Sequence, residues 1–346
     1  MSTPSSLSTS FLSRRGLLAA GGALGAGALL TACGGGSEGA SDGDSGSASG
    51  SGPWTFKDDR GETAKAPRTP KKVVAFTGTA AALHDFGVEC TAVFGPTRLK
   101  DGKPDPQAGD LDIGKLTVLG NAWGEFNVEK YAALSPELLV TNMLQGTELW
   151  YVPDESKKKI LSFAPGVGIN VTKVTLTRVI ARYAELAASL GADLQAKRVT
   201  DAKARFEKAS ETLRRAARAN KGLKVLAASG SADLLYVSDP GVYADLAYFK
   251  SLGVDFVVPG TVTGGFFESL GWENAGKYPA DLILLDNRTA ALQPKDLAAK
   301  PTWAELPAVK AGQVAPWLSE PRYSYAGCAP LVEALAEAVQ KAKKVA

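Results

Sequence analysis

Aromatic and arginine side chains gather in the segments that follow short apolar runs. Trp123 stands in LGNAWGEF, Trp150 and Tyr151 follow LLVTN, and Phe266 and Phe267 stand in GGFFES. Arg288 follows LILLDN, and Trp317, Arg322, Tyr323 and Tyr325 crowd into APWLSEPRYSYAG. Rings offer flat apolar contact and arginine offers a fork of donors for anionic oxygen, so the set suits holding a large, partly apolar ligand. For any single ring, packing into a core is the alternative. Chemistry on the ligand is poorly provided for. His84 is the one histidine, whereas side-chain metal sites want several close ligands and hydrolytic triads want a base beside a nucleophile. Beyond residue 53 no GxSxG, HExxH or P-loop occurs, and the glycines of GGALGAG lie before that point. The reading is therefore a binder, not an enzyme, with His84 a surface or helix-end residue.

Loops of this kind need strands to end them at one edge. KKVVAF reads as a strand, AALHDF as a helix, and GVECTAVFG turns on Gly87 into a second strand, which makes a βαβ beginning. FNVEKYAALSPELLVTN then reads as a helix stopped by Pro136 and a buried strand from Leu138. The same grammar returns in LKVLAAS, in YADLAYFKSLGVDFVV with its turn at Gly253, and in GWENAGKYPADLILLDN. In each half a glutamate stands eight residues before the acidic residue that opens the strand: Glu129 before Glu137, Glu273 before Asp281. This weak duplication predicts two similar α/β lobes with parallel sheets. In open sheets of that kind ligands bind at the carboxyl ends of the strands, where the aromatic loops fall. Between the halves, Leu194, Val199, Ala202, Phe206, Ala209, Leu213 and Ala216 recur every three to five residues. They predict one amphipathic helix over 193–219, roughly 40 Å long at 1.5 Å per residue, with Asp193 as its cap.

The first residues read differently. Arg14 and Arg15 precede an apolar run from Gly16 to Ala32, the order of a signal peptide. SRRGLL resembles a twin-arginine export signal and LTAC resembles a lipobox, which implies that Cys33 is acylated and becomes the mature N-terminus. Residues 33–53, rich in Gly, Ser and Asp, read as a flexible tether. The formal net charge of +3 falls to +1 once Arg14 and Arg15 are removed, so nucleic acid is not expected as a partner. Cys90 and Cys328 remain, either as a disulfide or as two buried thiols.

The order of these features carries a resemblance. The export signal and lipobox, WTFKDDRGE, KKVVAF, FNVEKYAALSPELLVTN, a long central helix and TWAELPAVKAGQVAPW together resemble the iron-siderophore and cobalamin family of ABC-transporter substrate-binding proteins, over residues 54–343. The resemblance implies a signal peptide over 1–32, a tether over 33–53, and an N-terminal α/β lobe over 54–192. A rigid connecting helix over 193–219 and a C-terminal lobe over 220–346 follow, with the ligand cleft between the lobes. It implies a monomer, held by its lipid on the outer face of the cell membrane, that delivers a ferric siderophore to an ABC permease dimer and has no resident cofactor. A corrinoid or haem is the alternative ligand, and a siderophore-processing enzyme or an adhesive surface lipoprotein the alternative role. Ligand contacts fall to Trp123, Trp150, Tyr151, Phe267, Arg288, Trp317, Arg322, Tyr323 and Tyr325, and permease docking to Glu129 and Glu273. Ferric-hydroxamate binders of the family can use an arginine in the loop before FNVE, where this chain has Trp123.

Overall fold

The computed structural model describes residues 52–99, 101–262, 264–288 and 290–346. The export signal, Cys33 and nearly all of the tether lie outside them. Among the described residues no helix is long and apolar enough to cross a membrane.

A hairpin of β1 (Trp54–Lys57) and β2 (Thr63–Ala66) comes first, followed by β3 (Val73–Phe76), α1 (Thr77–Phe86), β4 (Ala92–Phe94) and β5 (Thr117–Val118). The first half continues through α2 (Val128–Ala133), β6 (Leu138–Met143), α3 (Asp154–Phe163), β7 (Gly166–Asn170) and α4 (Leu176–Ser189). The long helix α5 (Lys197–Ala219) leads to β8 (Lys224–Gly230), β9 (Leu234–Ser238), α6 (Ala244–Ser251), β10 (Asp255–Phe256) and β11 (Phe267–Gly271). A 3-10 turn, Trp272–Lys277, precedes β12 (Leu282–Asp286). Three single-turn helices, α7 (Pro294–Leu297), α8 (Pro301–Ala304) and α9 (Pro307–Lys310), then β13 (Val314–Trp317) and α10 (Tyr325–Lys341) complete the chain.

The first sheet runs β5-β4-β3-β6-β7 with every pairing parallel. Its central strands are apolar on both faces, as helices on both sides require: all of β3 and β6 is buried. Strand order reverses between β3 and β6, so the crevice beyond their carboxyl ends is the expected ligand position. The second sheet runs β11-β9-β8-β12-β13, with β10 alongside the start of β8. Here β8, β10, β12 and β13 are parallel, but β9 is antiparallel to β8 and β11 antiparallel to β9. The departure from a purely parallel sheet is set by chain length. Only residues 231–233 join β8 to β9, with the Ser231 N–H bonded to the Leu234 carbonyl at 2.8 Å, whereas a parallel crossover needs a dozen residues or more. Phe267 accordingly opens a strand rather than sitting in a loop.

The repeated acidic residues do the same work in both halves. Glu137 accepts from the Lys72 N–H at 3.1 Å while its own N–H donates to the Lys72 carbonyl at 2.9 Å. Asp281 does likewise with Lys224, at 2.7 and 2.8 Å. Each acid therefore pins the start of its strand to the start of the first strand in its sheet.

Helix α5 begins at Lys197 rather than Asp193, because the Asp193 carboxylate accepts from the Gln195 N–H at 2.8 Å in a turn of its own. Its buried stripe of Val199, Phe206, Ala209, Leu213 and Ala216 matches the predicted one, while Ala202 is half-buried. The helix packs lengthwise on α10, and Phe206 stacks on Tyr248 of α6 with ring centroids 5.5 Å apart. A second tie joins the halves: Thr172 bridges to Tyr243, and the Lys173 N–H donates to the Val242 carbonyl at 2.8 Å. Two fixed connections oppose a wide hinge motion. Cys90 and Cys328 are free and buried, and burial pushes the Cys90 thiol up to about 12. His84 sits in the last turn of α1, with Nδ1 2.8 Å from Glu89 Oε1.

Candidate ligand cleft

The loop after β6 folds back on its own strand. The Trp150 N–H donates to the Asn142 carbonyl at 2.9 Å, and Thr141 Oγ1 donates to the Trp150 carbonyl at 2.8 Å, fixing the indole above the sheet. Tyr151 follows with φ 63°, a strained value for a bulky residue, and its ring lies 5.1 Å from Phe76. Gly95, at φ +96°, leaves that space open, since a Cβ there would stand 2.5 Å from the Phe76 ring. Trp123 comes from a loop tip clasped by the Glu125 carboxylate, which accepts from the N–H groups of Asn121 and Ala122 at 2.9 and 3.1 Å. Its indole is 65 % exposed and lies 4.8 Å from Trp150 and 5.0 Å from Tyr151. Beside these rings is a cavity of about 350 Å³, bordered also by Gln145, Glu148, Asp154 and Glu155.

Trp150 also faces a second cavity of about 210 Å³, enclosed by both halves of the chain. Leu144 and Thr172 line it from the first half; Tyr243, Phe267, Arg288, Ser319, Glu320 and Tyr323 line it from the second. These residues come from segments beyond the carboxyl ends of β6, β7, β9, β12 and β13 or, for Phe267, from the first residue of β11. Arg288 is held twice. Its Nη2 donates to Asp286 Oδ2 at 2.7 Å, its Nε donates to both Asp286 oxygens at 3.1 Å, and its Nη1 donates to Glu320. The other Glu320 oxygen accepts from Trp150 Nε1 at 3.2 Å, a hydrogen bond across the cleft. Burial pushes the Glu320 carboxyl up, opposed by Arg288 and the Trp150 N–H. Burial alone would lower the Arg288 guanidinium, but Glu320 and Asp286 hold it well above the ordinary arginine range.

Some polar groups in this cavity are left over. Ser319 Oγ is buried with no hydrogen-bond partner among the described residues, as is Oδ1 of Asn287, which precedes Arg288 but does not line the cavity. The Tyr323 hydroxyl makes no hydrogen bond among the described residues, although its ring is buried and stacks on Tyr183. Native interiors rarely leave such groups unpaired, so donors and acceptors lining a cavity await a ligand or water.

The structure thus gathers Trp150, Phe267, Arg288 and Tyr323 around one cavity and Trp123, Tyr151 and Trp150 around its neighbour. The other three predicted contacts lie elsewhere. Trp317 ends β13 facing the core at 4 % exposure, where its Nε1 donates to Asp245 Oδ2 at 2.7 Å, and burial pushes the Asp245 carboxyl up to about 6. From there it props Tyr243, whose ring stands 5.1 Å away at the cavity wall. Arg322 turns back against Gly109 and Gly327, where a Cβ would come within 2.4 and 2.1 Å of its side chain, and pairs with Asp110 at 2.8 Å and Asp85 at 3.4 Å. Tyr325 packs between Phe86 and Phe206, at 6.3 and 5.7 Å. Sequence reading missed Ser319, Glu320 and Tyr243. The position of Ser319 and Glu320 inside WLSEPRYSY, and of Tyr243 in the loop after β9, was the available signal.

Glu129 lies in the first turn of α2, and Glu273 opens the 3-10 turn just after β11. Both are exposed, and neither makes an ion pair among the described residues. Because β11 runs in the same direction as β8, Glu273 stands at the carboxyl edge of its sheet. Glu129 heads a helix that descends to the start of β6, which places it at the same edge of the other sheet.

Comparison with known proteins agrees with this architecture. No curated protein sequence matches the chain. Among solved structures, DesE, a ferric-siderophore receptor protein from Streptomyces coelicolor, is 56 % identical with a TM-score of 0.82, over 85 % of this chain and all 100 % of that one. The petrobactin-binding protein YclQ from Bacillus subtilis shares the fold at 18 % identity and TM-score 0.65, over 84 % and 99 % of the two chains. The triscatecholate siderophore-binding protein FeuA from the same organism does so at 18 % identity and TM-score 0.60, over 83 % and 98 %. The family described as periplasmic binding protein matches residues 76–321, more than half of the sequence. Two α/β lobes, a rigid connecting helix and a cleft at the strand ends are thus the build of a binding protein, and this chain belongs to the periplasmic binding protein family.

Proposed function

We propose that the chain is the extracytoplasmic substrate-binding lipoprotein of an ABC importer, which holds a ferric siderophore between its lobes and hands it unchanged to the permease. One observation carries the reading: a cleft closed by rings from both sheets, in which Ser319 Oγ is buried without a partner and the Tyr323 hydroxyl makes no hydrogen bond among the described residues. The 56 % identity to a ferric-siderophore receptor supports it. The inner cavity is small for a whole iron chelate, and the aromatic cavity that shares Trp150 and Gln145 with it supplies further room. In this reading residues 54–192 and 220–346 are the two lobes, the segment from 193 to 219 their connection, and the protein works as a monomer. Tethering by Cys33, read from the sequence LTAC, keeps it beside the membrane it serves.

Fluorescence titration of the mature protein tests the proposal, because Trp123 and Trp150 border the cleft. Iron-loaded chelators are expected to quench tryptophan emission saturably, and the chelate should be recovered intact. Saturable binding of cobalamin or haem in place of every iron chelate would move the chain to another ligand. Binding of ferric ion with no chelator present would overturn the reading.

A further inference from the structure

We infer that Glu320, seconded by Asp286, makes the cleft a charge filter that admits iron chelates of zero or positive charge and turns away strongly anionic ones. The inference rests on the ferric-siderophore reading and concerns which siderophores fit.

Among the described residues Arg288 is the only cation that lines either the inner or the aromatic cavity. An arginine in such a place would ordinarily be the anchor for a ligand's anionic oxygens. Here three of its five N–H donors are already engaged by carboxylates. Asp286, at 1 % exposure, occupies Nε and Nη2, and Glu320, at 6 % exposure, occupies Nη1. With all three ionised, the inner site carries one more negative charge than positive. Glu320 is held from the opposite lobe as well, its second oxygen accepting from Trp150 Nε1 at 3.2 Å. On the side of the aromatic cavity the surroundings add no relief. Glu148, Asp154 and Glu155 border the aromatic cavity, and Lys157, close by in the sequence, is paired with Glu148 at 2.8 Å. The groove beyond Thr172 carries Lys173 together with Asp59, and since Asp59 is paired with Arg182 at 2.8 Å, positive charge stands on that side only.

The charge of an iron chelate follows from its donors. Three hydroxamates each lose one proton and leave the ferric complex neutral, whereas three catecholates each lose two and leave it with three negative charges. A trianionic complex in this cleft would face Glu320 and Asp286 across a guanidinium that both already neutralise. A neutral complex would need only what the site has free, namely the Tyr323 and Ser319 hydroxyls, the Arg288 N–H groups that the carboxylates leave, and the rings of Trp150, Tyr243 and Phe267.

The experiment compares two probes on the mature protein and its Glu320→Gln variant: the ferric complex of a linear tris-hydroxamate and the ferric complex of a tripodal tris-catecholate. Glutamine keeps the size of the side chain and an acceptor for Trp150 Nε1, and removes the charge. The parent protein is expected to favour the neutral complex by about 100-fold, and Glu320→Gln to narrow that ratio about 10-fold by strengthening catecholate binding, as expected when a like charge is removed from an interface. Asp286→Asn should narrow it in the same direction. Two results would overturn the charge filter while leaving siderophore binding in place. One is a parent protein that binds the trianionic complex as tightly as the neutral one, which needs no variant to measure; the other is an unchanged ratio in both variants. Binding of neither probe to the parent would instead overturn the siderophore reading itself, and the inference with it.

Discussion

Cells that depend on a protein carrying both Glu129→Arg and Glu273→Arg are expected to take up the iron chelate at least about 10-fold more slowly, while the purified variant binds the chelate as the parent does. In the proposed docking role each glutamate meets a basic pocket on one permease subunit. The two stand on matching elements, both exposed and both at the cleft edge of their sheets. A two-lobed monomer would therefore meet a two-subunit partner with approximate symmetry. One exposed ion pair contributes only about 0.2–1 kcal/mol, but reversing a charge sets repulsion in place of attraction at a docking surface, a change of several kcal/mol. Each single variant should show a part of the loss. Parental uptake by the double variant, with normal protein levels, would return both residues to ordinary surface duty.

The second large effect is on stability. Arg322→Ala is expected to lower the unfolding midpoint by about 5–10 °C, from a loss of about 2–4 kcal/mol, at or below the range for breaking a buried ion pair. Arg322 joins the halves of the chain: Asp85 and Asp110 lie in the first, and Ser324, which also donates to Asp85, caps α10. The Asp85 carboxyl is pushed up by burial, with Arg322 and Ser324 pulling it down. Removing the arginine raises it further. A carboxyl raised in the folded state destabilises as pH rises through its folded pKa, so the loss should be greatest at neutral pH and shrink on acidification. Unfolding midpoints measured from pH 5 to 8 check both points. A pH-independent loss would point to packing alone, and an unchanged midpoint would remove the pin. Chelate affinity should change less than stability, since Arg322 does not line the cleft.

What could be read in advance depended on how far each feature reaches along the chain. VVAF, LLVTN and LILLD announced buried parallel strands because burial on both faces leaves its mark within one short run. The spacing of Glu129 to Glu137 and of Glu273 to Asp281 exposed the duplication because the same strand-start bond is made twice. The antiparallel β9 and β11 were hidden by a connection of three residues that carries no proline and no glycine. Site residues were harder, because a ring or an arginine in a loop-like segment looks the same whether it faces the cleft or the core. Trp317 is buried by Asp245, 72 residues away, and Arg322 by Asp85, 237 residues away. Glu320 becomes a cleft residue only through Trp150, 170 residues earlier, and Arg288. No local pattern encodes such meetings.

The central claim is that the ligand is an iron chelate held between the lobes. Crystals of the mature protein grown with a ferric chelate, with the metal located by its anomalous scattering, test it most directly. One iron is expected between the two sheets, wrapped in its chelator, with the chelate touching Trp150, Phe267, Arg288 and Tyr323 and the lobes little moved. Iron bound outside this cleft, or ligated directly by protein carboxylates with the chelator gone, would contradict it.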